Sequence, residues 1–569
     1  MYTKTRLYFG LAFVSLLLTC PNTMGDTIHD AVRDGDLISV QAKLNNYMRH
    51  AVSTWKFSGS VLVAEGDSVL LRSAYGVADE QTGRQLTPET KFLIGSMTKP
   101  FTAIAIHQML GRGELSLEEH ISTYLTGYRK DVADLVTIHH LMSHQSGIPD
   151  LVNLPGFQER VVDPITVDEL IGYFEDLPPQ FPPGDRYTYS SSNYILLGAI
   201  IEKITGKSWE EYLRDNILKP VGMANTGVFL DYGTREDFAR GYQITPDGAR
   251  DAARVIHLSC GYAAGGLAST VDDLYALNMA LYSEKLLPQP LIDQMLSPQT
   301  PFYSYGWLVD ELGGHRLTAH GGATPGFVSM LQRWVDDSVC VIVLSNNVMI
   351  AAHTVANGLA AIAFGEEYEL PAVKKPRAVE AGELKQYVGF YRIDSTDYRQ
   401  IELKSGQLLA KRLNGFPVPI HSESQDRFYF DQDHMSTLEF IRDEAGAVSG
   451  HVFRQAFASD TAWLVAGKEA ERFLYGGILV SPDPAILAKY TGRFKLDPAG
   501  FVLTIAMDGG DLYGQAFNSA PIKLKAVSDS TFAFEGLSAR IMFFRDASGA
   551  ADSLRFSQEG QTMIGIRVE

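Results

Sequence analysis

Cysteine is scarce in this chain: three among 569 residues, at positions 20, 260 and 340. Only Cys260 and Cys340 lie beyond the N-terminal leader described below, so at most one internal disulfide is available. A disulfide-stapled scaffold is therefore excluded, and the simpler reading is two apolar thiols in separate strands. No Cys/His spacing marks a zinc site, and nothing in the pattern calls for a metal or an organic cofactor. Positive charge is short as well. Lys and Arg number 49 against 67 Asp and Glu, a formal charge of −18. Nucleic acid and anionic membrane surfaces repel such a chain, so neither is expected as a partner. Long apolar runs are also missing. The one at Leu7–Leu18 falls short of the roughly 20 residues that cross a bilayer, and no later segment reads as a span. Yet 45% of residues are hydrophobic and only 20% charged, a globular rather than a disordered composition.

Lys4 and Arg6 precede the Leu7–Leu18 run, and Cys20-Pro21-Asn22 follows it. A charged start, a short greasy stretch and a polar exit are the layout of a secretory leader. Residues 1–25 are read as that leader, with Thr23 and Gly25 at the selective positions, and the expected location is periplasmic or secreted. Lipidation at Cys20 is the less favoured reading, because Thr19 and Pro21 fit that processing poorly. Removal of Lys4 and Arg6 takes the formal charge from −18 to −20.

The spacing of Ile28, Val32, Leu37, Val40, Leu44 and Met48 predicts a helix over 28–50. Two strand-like runs, Gly59–Ala64 and Ser68–Gly76, flank the turn residues Glu65-Gly66-Asp67. Strand patterns return only at Gly306–Val309, Val328–Trp334 and Val339–Leu344. A sheet fed from both ends of residues 26–368, with helices between, accounts for this order. Pro371, Lys374, Lys375, Pro376 and Arg377 mark a linker at 369–383. Beyond it, Tyr387-Val-Gly-Phe-Tyr391 recurs as Tyr490-Thr-Gly-Arg-Phe494, and Phe440-Ile-Arg-Asp443 as Phe543-Phe-Arg-Asp546. Gly406-Gln-Leu408 and Arg427–Phe430 recur at a similar offset, as Gly510-Asp-Leu512 and Thr531–Phe534. A unit is thus duplicated. Alternating aromatic and β-branched runs in each copy predict closed antiparallel barrels of about eight strands, at 384–470 and 484–569.

Three segments carry chemistry. In Gly95-Ser96-Met97-Thr98-Lys99, Ser96 and Lys99 share a face at the mouth of an apolar helix. A serine hydroxyl needs a base, and a desolvated lysine can serve as one. Alone, Ser-x-x-Lys is a weak signal, since a chain this long holds roughly one or two by chance. The second segment is Tyr187–Gly198. Its Tyr189, on a loop entering an apolar helix, becomes a general base if a lysine cation lowers its pKa; otherwise it is a packed aromatic. The third is Thr318–Phe327, where His320, Gly321 and Gly322 lead into a strand. Its small residues let a substrate backbone approach, and its N–H groups can complete an oxyanion hole with that of Ser96; otherwise it is a glycine-rich turn.

In that order, the three segments resemble the motifs Ser-x-x-Lys, Tyr-x-Asn and Lys-Thr-Gly or His-x-Gly of the class C β-lactamase and penicillin-binding protein superfamily. Leu141–Asp150 and Ala263–Leu274 resemble its connecting segments, so that the likeness covers 57–345. It implies an α+β catalytic domain, an antiparallel sheet with flanking helices and a helical subdomain, followed here by two lipocalin-like barrels. It also implies an acyl-enzyme on Ser96, proton handling by Lys99 and Tyr189, and an oxyanion hole from the N–H groups of Ser96 and Ala323. Ser191, His320, Gly321 and Gly322 would contact substrate. Ser191 stands where the family usually has Asn, and a hydroxyl cannot replace an amide's donor and acceptor together; Asn193 lies two residues late. His320 stands where β-lactamases and D,D-peptidases commonly carry a carboxylate-binding Lys. The His-Gly-Gly form resembles D-aminopeptidases and family esterases. One D-aminopeptidase also has two C-terminal barrels, the last of which sends a loop into the active site; the comparable loops here are Asp497–Gly500 and Gln515–Ser519. The expected function is hydrolysis of D-amino-acid peptides or amides, small-molecule or short-peptide substrates that need no cofactor. The alternatives are a carboxylesterase, a D-alanyl-D-alanine carboxypeptidase or β-lactamase, and, in another class, a non-catalytic peptidoglycan- or lipid-binding protein.

Overall fold

Six strands drawn from opposite ends of residues 59–345 form one antiparallel sheet. They are β1 (Gly59–Glu65), β2 (Ser68–Tyr75), β3 (Leu308–Leu312), β4 (His315–Thr324), β5 (Phe327–Trp334) and β6 (Val339–Ser345), in the spatial order β2-β1-β6-β5-β4-β3. In this computed structural model the described residues are 25–569, apart from 245–249, 349–351, 394–397, 413–416, 431–434, 456–457, 466–482, 498–500, 517–518, 528–529, 536–538, 547–548, 559–560 and 569. The leader read at 1–25 thus lies outside them but for Gly25. So do parts of the two barrel loops at 497–500 and 515–519.

The centre of the sheet is held by the apolar runs Val61–Ala64 of β1 and Val339–Leu344 of β6. Gly59 pairs with Ser345 and Glu65 with Val339. Side chains alternate between faces. Val61, Val63, Val341 and Val343 face one layer, with Leu44, Met48 and Ala51 of α1 (Gly25–Trp55) and Val355 and Leu359 of α5 (Ala352–Phe364). Leu62, Ala64, Ile342 and Leu344 face the other, with the helices inserted between β2 and β3. Both faces being covered, β6 reads as an unbroken apolar run rather than an alternating one. Each such buried aliphatic side chain contributes about 1.5–3 kcal/mol.

Three inserted helices matter for the site: α2 (Lys99–Gly111), α3 (Ser191–Thr205) and α4 (Val271–Ala280). Helix α2 is buried from Lys99 through His107, as a helix apolar on every side must be. Pro100 sits in its first turn, where the missing N–H costs no hydrogen bond. Cys260 and Cys340 are free and buried. Cys340 lies in β6, but Cys260 closes the 3₁₀ turn Leu258–Cys260, so only one of the two expected strand positions is a strand. An apolar residue in a one-turn segment gives no periodicity from which to tell the two apart.

Past residue 365 the chain runs without regular structure to the short helix Ala381–Leu384. Two closed antiparallel barrels of eight strands follow, from Gly389–Arg392 to Ala458–Val465 and from Gly492–Asp497 to Gln561–Arg567. Each opens with a 3₁₀ turn ending in a buried tyrosine, Tyr387 or Tyr490. An arginine reaches each hydroxyl, Arg442 at 3.4 Å in the first and Arg545 Nε at 2.6 Å in the second. No described helix is long and apolar enough to cross a membrane.

Candidate active site

The Ser-x-x-Lys segment divides between two kinds of helix. Gly95–Thr98 is a 3₁₀ turn and Lys99 begins α2. Residues three apart eclipse each other in a 3₁₀ turn, which stacks Lys99 over Ser96. The Lys99 Nζ lies 3.1 Å from Ser96 Oγ and donates to the Ala264 carbonyl at 2.9 Å. Lys99 is fully buried, and burial lowers its pKa to about 7, against the opposing pull of Asp150. Among the described residues no carboxylate touches the amine; the Asp150 carboxylate is held instead by the amides of Ser191 and Val152. Burial thus favours the neutral amine, the form in which a lysine can take a proton.

Tyr189 stands on the loop before α3. The Lys99 Nζ lies 4.8 Å from its ring centroid, and its hydroxyl hydrogen-bonds the Ser96 side chain. The expected lowering of its pKa by lysine does not occur. Burial raises it well above 10, and the Ser96 hydrogen bond opposes this only in part. The reason is that Lys99 is itself desolvated and loses its charge first, so little cation remains to stabilise a phenolate.

The third segment is a strand, not a turn leading into one. It forms the end of β4, paired with β5 from Leu317↔Trp334 to Thr324↔Phe327. On its other edge the pairing with β3 stops at Ala319↔Leu308, so 320–324 offer a strand edge to the cleft. Backbone approach is close here. A Cβ on Gly322 would stand 1.8 Å from the Ile94 carbonyl oxygen, and one on Gly95, at φ +51°, would stand 2.9 Å from the Ala323 nitrogen. Glycine at both positions brings the Ala323 amide beside the turn that carries Ser96.

A cavity of about 550 Å³ opens in front of these groups. Ser96, Tyr189, His320, Gly321, Gly322 and Ala323 all line it, with Tyr187 and Tyr303. The rest of its described lining is mostly apolar, from Leu308, Val328, Met330, Val348 and Ala352, with Ser329 and His353 among them. Among the described residues no Lys, Arg, Asp or Glu lines it. His320 supplies no cation either, since burial and the nearby Lys99 lower its pKa to about 3.

Ser191 is not among those lining residues. It opens α3, and its amide donates to Asp150 Oδ1 at 3.0 Å. Asn193 does not reach Lys99 in its stead. Its Oδ1 accepts from Ser146 at 2.6 Å and its Nδ2 faces His144 Nδ1 at 3.2 Å. The residues that sequence reasoning left without a role are His144, Asp150, Ala264 and Tyr303. Three of them lie inside the connecting segments Leu141–Asp150 and Ala263–Leu274, and that was the only available signal.

The family model described as Beta-lactamase matches residues 44–363, more than half the chain. The chain belongs to the β-lactamase family. Within that family, the penicillin-binding protein 4* of Bacillus subtilis is 28% identical over 408 residues, 66% of this chain and 88% of that protein. A D-aminopeptidase of Brucella canis is 29% identical over 301 residues; the match spans 51% of this chain and 56% of that enzyme. The solved octameric penicillin-binding protein homologue of Pyrococcus abyssi aligns with a TM-score of 0.54 at 24% identity, over 74% of this chain and 99% of that one. This is a likeness of fold. A second model, a domain of unknown function (DUF3471), matches residues 478–564, where the second barrel lies.

Proposed function

We propose that this β-lactamase-family chain is a serine hydrolase that forms an acyl-enzyme on Ser96 and cleaves amide or ester bonds of substrates lacking a carboxylate at the His320 wall. D-amino-acid amides and short peptides are the favoured class. The observation that carries the reading is a fully buried amine, its pKa lowered by that burial, 3.1 Å from a hydroxyl that faces a cavity. The catalytic unit is assigned to 26–368, and the barrels to 384–470 and 484–569. The leader pattern at 1–25 supports a location outside the cytoplasm.

Neutral Lys99 takes the Ser96 proton as Oγ attacks the carbonyl carbon. The carbonyl oxygen, now an anion, sits between the N–H groups of Ser96 and Ala323, whose charge-matched hydrogen bonds are worth about 10²–10³ in rate. Tyr189, protonated because it is buried, gives its proton to the departing amine or alkoxide and regains one from the Lys99 ammonium. Both groups return to their starting states. Water then repeats the sequence on the acyl-enzyme, its proton following the same path.

The lack of Lys and Arg among the described lining residues supports the substrate class. Carboxypeptidase and β-lactamase substrates present a carboxylate, and neither His320 nor a described lining Lys or Arg meets it with a cation. The D-aminopeptidase relative supports the D-amino-acid reading. One observation favours a carboxylesterase as a second reading: no described lining carboxylate receives an α-ammonium. The test is a fluorophosphonate probe on the full chain, with Ser96→Ala as control, followed by a hydrolysis panel. Expected are labelling lost in Ser96→Ala, and turnover of D-alanine amides or nitrophenyl esters above that of D-alanyl-D-alanine peptides and a cephalosporin. A folded protein that takes no label at Ser96 overturns the hydrolase reading in favour of a binding protein.

A further inference from the structure

His144 is a buried titratable group that the mechanism above does not use, and it is held in an unusual way. Its φ is +57°, the left-handed region that side chains rarely adopt, where strain persists only when the surroundings fix it. Its carbonyl accepts from the Thr188 amide at 2.9 Å. Its Nδ1 lies 3.2 Å from the Ser190 backbone nitrogen, which can only donate. The Asn193 side-chain amide also faces Nδ1. With Nδ1 accepting from Ser190, the Asn193 group facing it must be the donating Nδ2, which leaves Oδ1 to accept from Ser146 Oγ. Nδ1 of His144 is thus an acceptor, and the ring proton is on Nε2.

From there the donors run one way across the cleft. His144 Nε2–H donates to the Tyr303 hydroxyl at 3.2 Å, and that hydroxyl donates to His320 Nε2 at 3.3 Å. His320 is left with its proton on Nδ1, which donates to the Gly321 carbonyl at 2.6 Å. A backbone N–H fixes one end of the chain and a backbone carbonyl the other, so the tautomers between them are determined. Tyr194 offers Tyr303 a competing acceptor, but Tyr303 turned that way leaves His320 Nε2 facing only an oxygen. The ring would then have to carry a second proton, as a buried cation beside Lys99. Of the other groups around it, Tyr187 and Tyr189 are neutral phenols whose pKa burial raises, and His144 holds no charge. None offsets that cation.

We propose that His144 and Tyr303 are positioning residues that lock His320 as a neutral Nδ1–H imidazole, tie the Tyr189 wall of the cleft to the His320–Gly321 wall, and so make the site select substrates without a carboxylate there. The selectivity rests on the hydrolase reading above; the lock itself does not.

The test uses the full chain labelled with ¹⁵N-histidine. The His144 and His320 signals are assigned by their loss in His144→Gln and His320→Gln. Long-range ¹H–¹⁵N spectra between about pH 5 and 8 are expected to show both rings neutral throughout, His144 as Nε2–H and His320 as Nδ1–H. Titration of either ring in that interval, or the opposite tautomer in either, overturns the lock. Tyr303→Phe keeps the ring and removes the hydroxyl. It is expected to lower kcat/KM on a neutral nitrophenyl ester about tenfold, the weight of one buried hydrogen bond, and to let the His320 tautomers mix. An unchanged His320 spectrum in Tyr303→Phe removes Tyr303 from the chain. Fixed tautomers in a protein whose Ser96 takes no fluorophosphonate would instead sink the hydrolase reading and leave the lock standing.

Discussion

Lys99 in the cleft and Arg399 in the first barrel are both buried basic groups, and the fold treats them in opposite ways. Arg399 meets Asp460 through both guanidinium nitrogens, each at 3.1 Å, with His451 beside it. Its charge is balanced, and it stays charged as guanidinium groups do. Lys99 touches a carbonyl and a hydroxyl, and its pKa falls to about 7. A buried cation with a carboxylate against it is part of the packing. A buried lysine without one has its pKa lowered by desolvation, as a proton-exchanging amine requires.

The second barrel sharpens the contrast, because it repeats the first without the ion pair. Strand registers match Tyr391↔Arg399 to Phe494↔Leu503, Phe440↔His451 to Phe543↔Leu554, and Phe453↔Asp460 to Phe556↔Met563. The same eight-stranded barrel therefore closes around Arg, His and Asp in one copy and around Leu, Leu and Met in the other. The ion pair is not what specifies the barrel. In the cleft, on the proposed hydrolase reading, removal of the basic group would instead slow the chemistry.

The largest expected effect follows from that difference. Lys99→Ala should slow fluorophosphonate or ester acylation by about 10²–10⁴-fold, the usual weight of a general base, with the sheet intact by circular dichroism. Acylation at the unmodified rate would mean that Lys99 is only packing. The pH dependence comes next. The amine accepts a proton only when neutral, so acylation by the unmodified chain should be slow below about pH 6, rise through about 7 and level off above it. A flat profile from pH 5 to about 9 would remove Lys99 as the base.

In the barrel the effects are smaller. Asp460→Ala leaves Arg399 buried and unpaired, and should cost about 2–3 kcal/mol, less than the roughly 3–5 kcal/mol of a fully buried broken pair, because Asp460 keeps some solvent exposure. Hydrogen exchange in Tyr398–Lys404 and Ala458–Val465 would report it. The smallest effect is expected from Arg399→Leu, His451→Leu and Asp460→Met together, which copy the second barrel. Stability should change by less than about 1–2 kcal/mol, in either direction. A triple variant as damaged as Asp460→Ala would show that the two barrels are not interchangeable inside.

Much of the site was legible because its spacing is local. Ser96 and Lys99 are three residues apart, and only a helical turn of some kind could use them together. The glycines of 321–322 signalled a close backbone approach, but not that they end a strand, since Gly-Gly-Ala-Thr-Pro-Gly carries turn chemistry as well. The duplicated barrels were legible from aligned aromatics. The partners His144 and Tyr303 were not, because 159 residues separate them and neither spacing nor composition encodes a contact at that range.

The amino-acid order by itself determined the family, the pairing of a serine hydroxyl with its neighbouring amine, and the doubled barrel, all of which rest on short-range pattern. Tertiary structure alone decided the charges. It left Lys99 without a carboxylate, raised the Tyr189 pKa instead of lowering it, and kept His320 neutral. Protonation depends on solvent exclusion and on groups brought together from distant segments, and neither exists until the chain has folded.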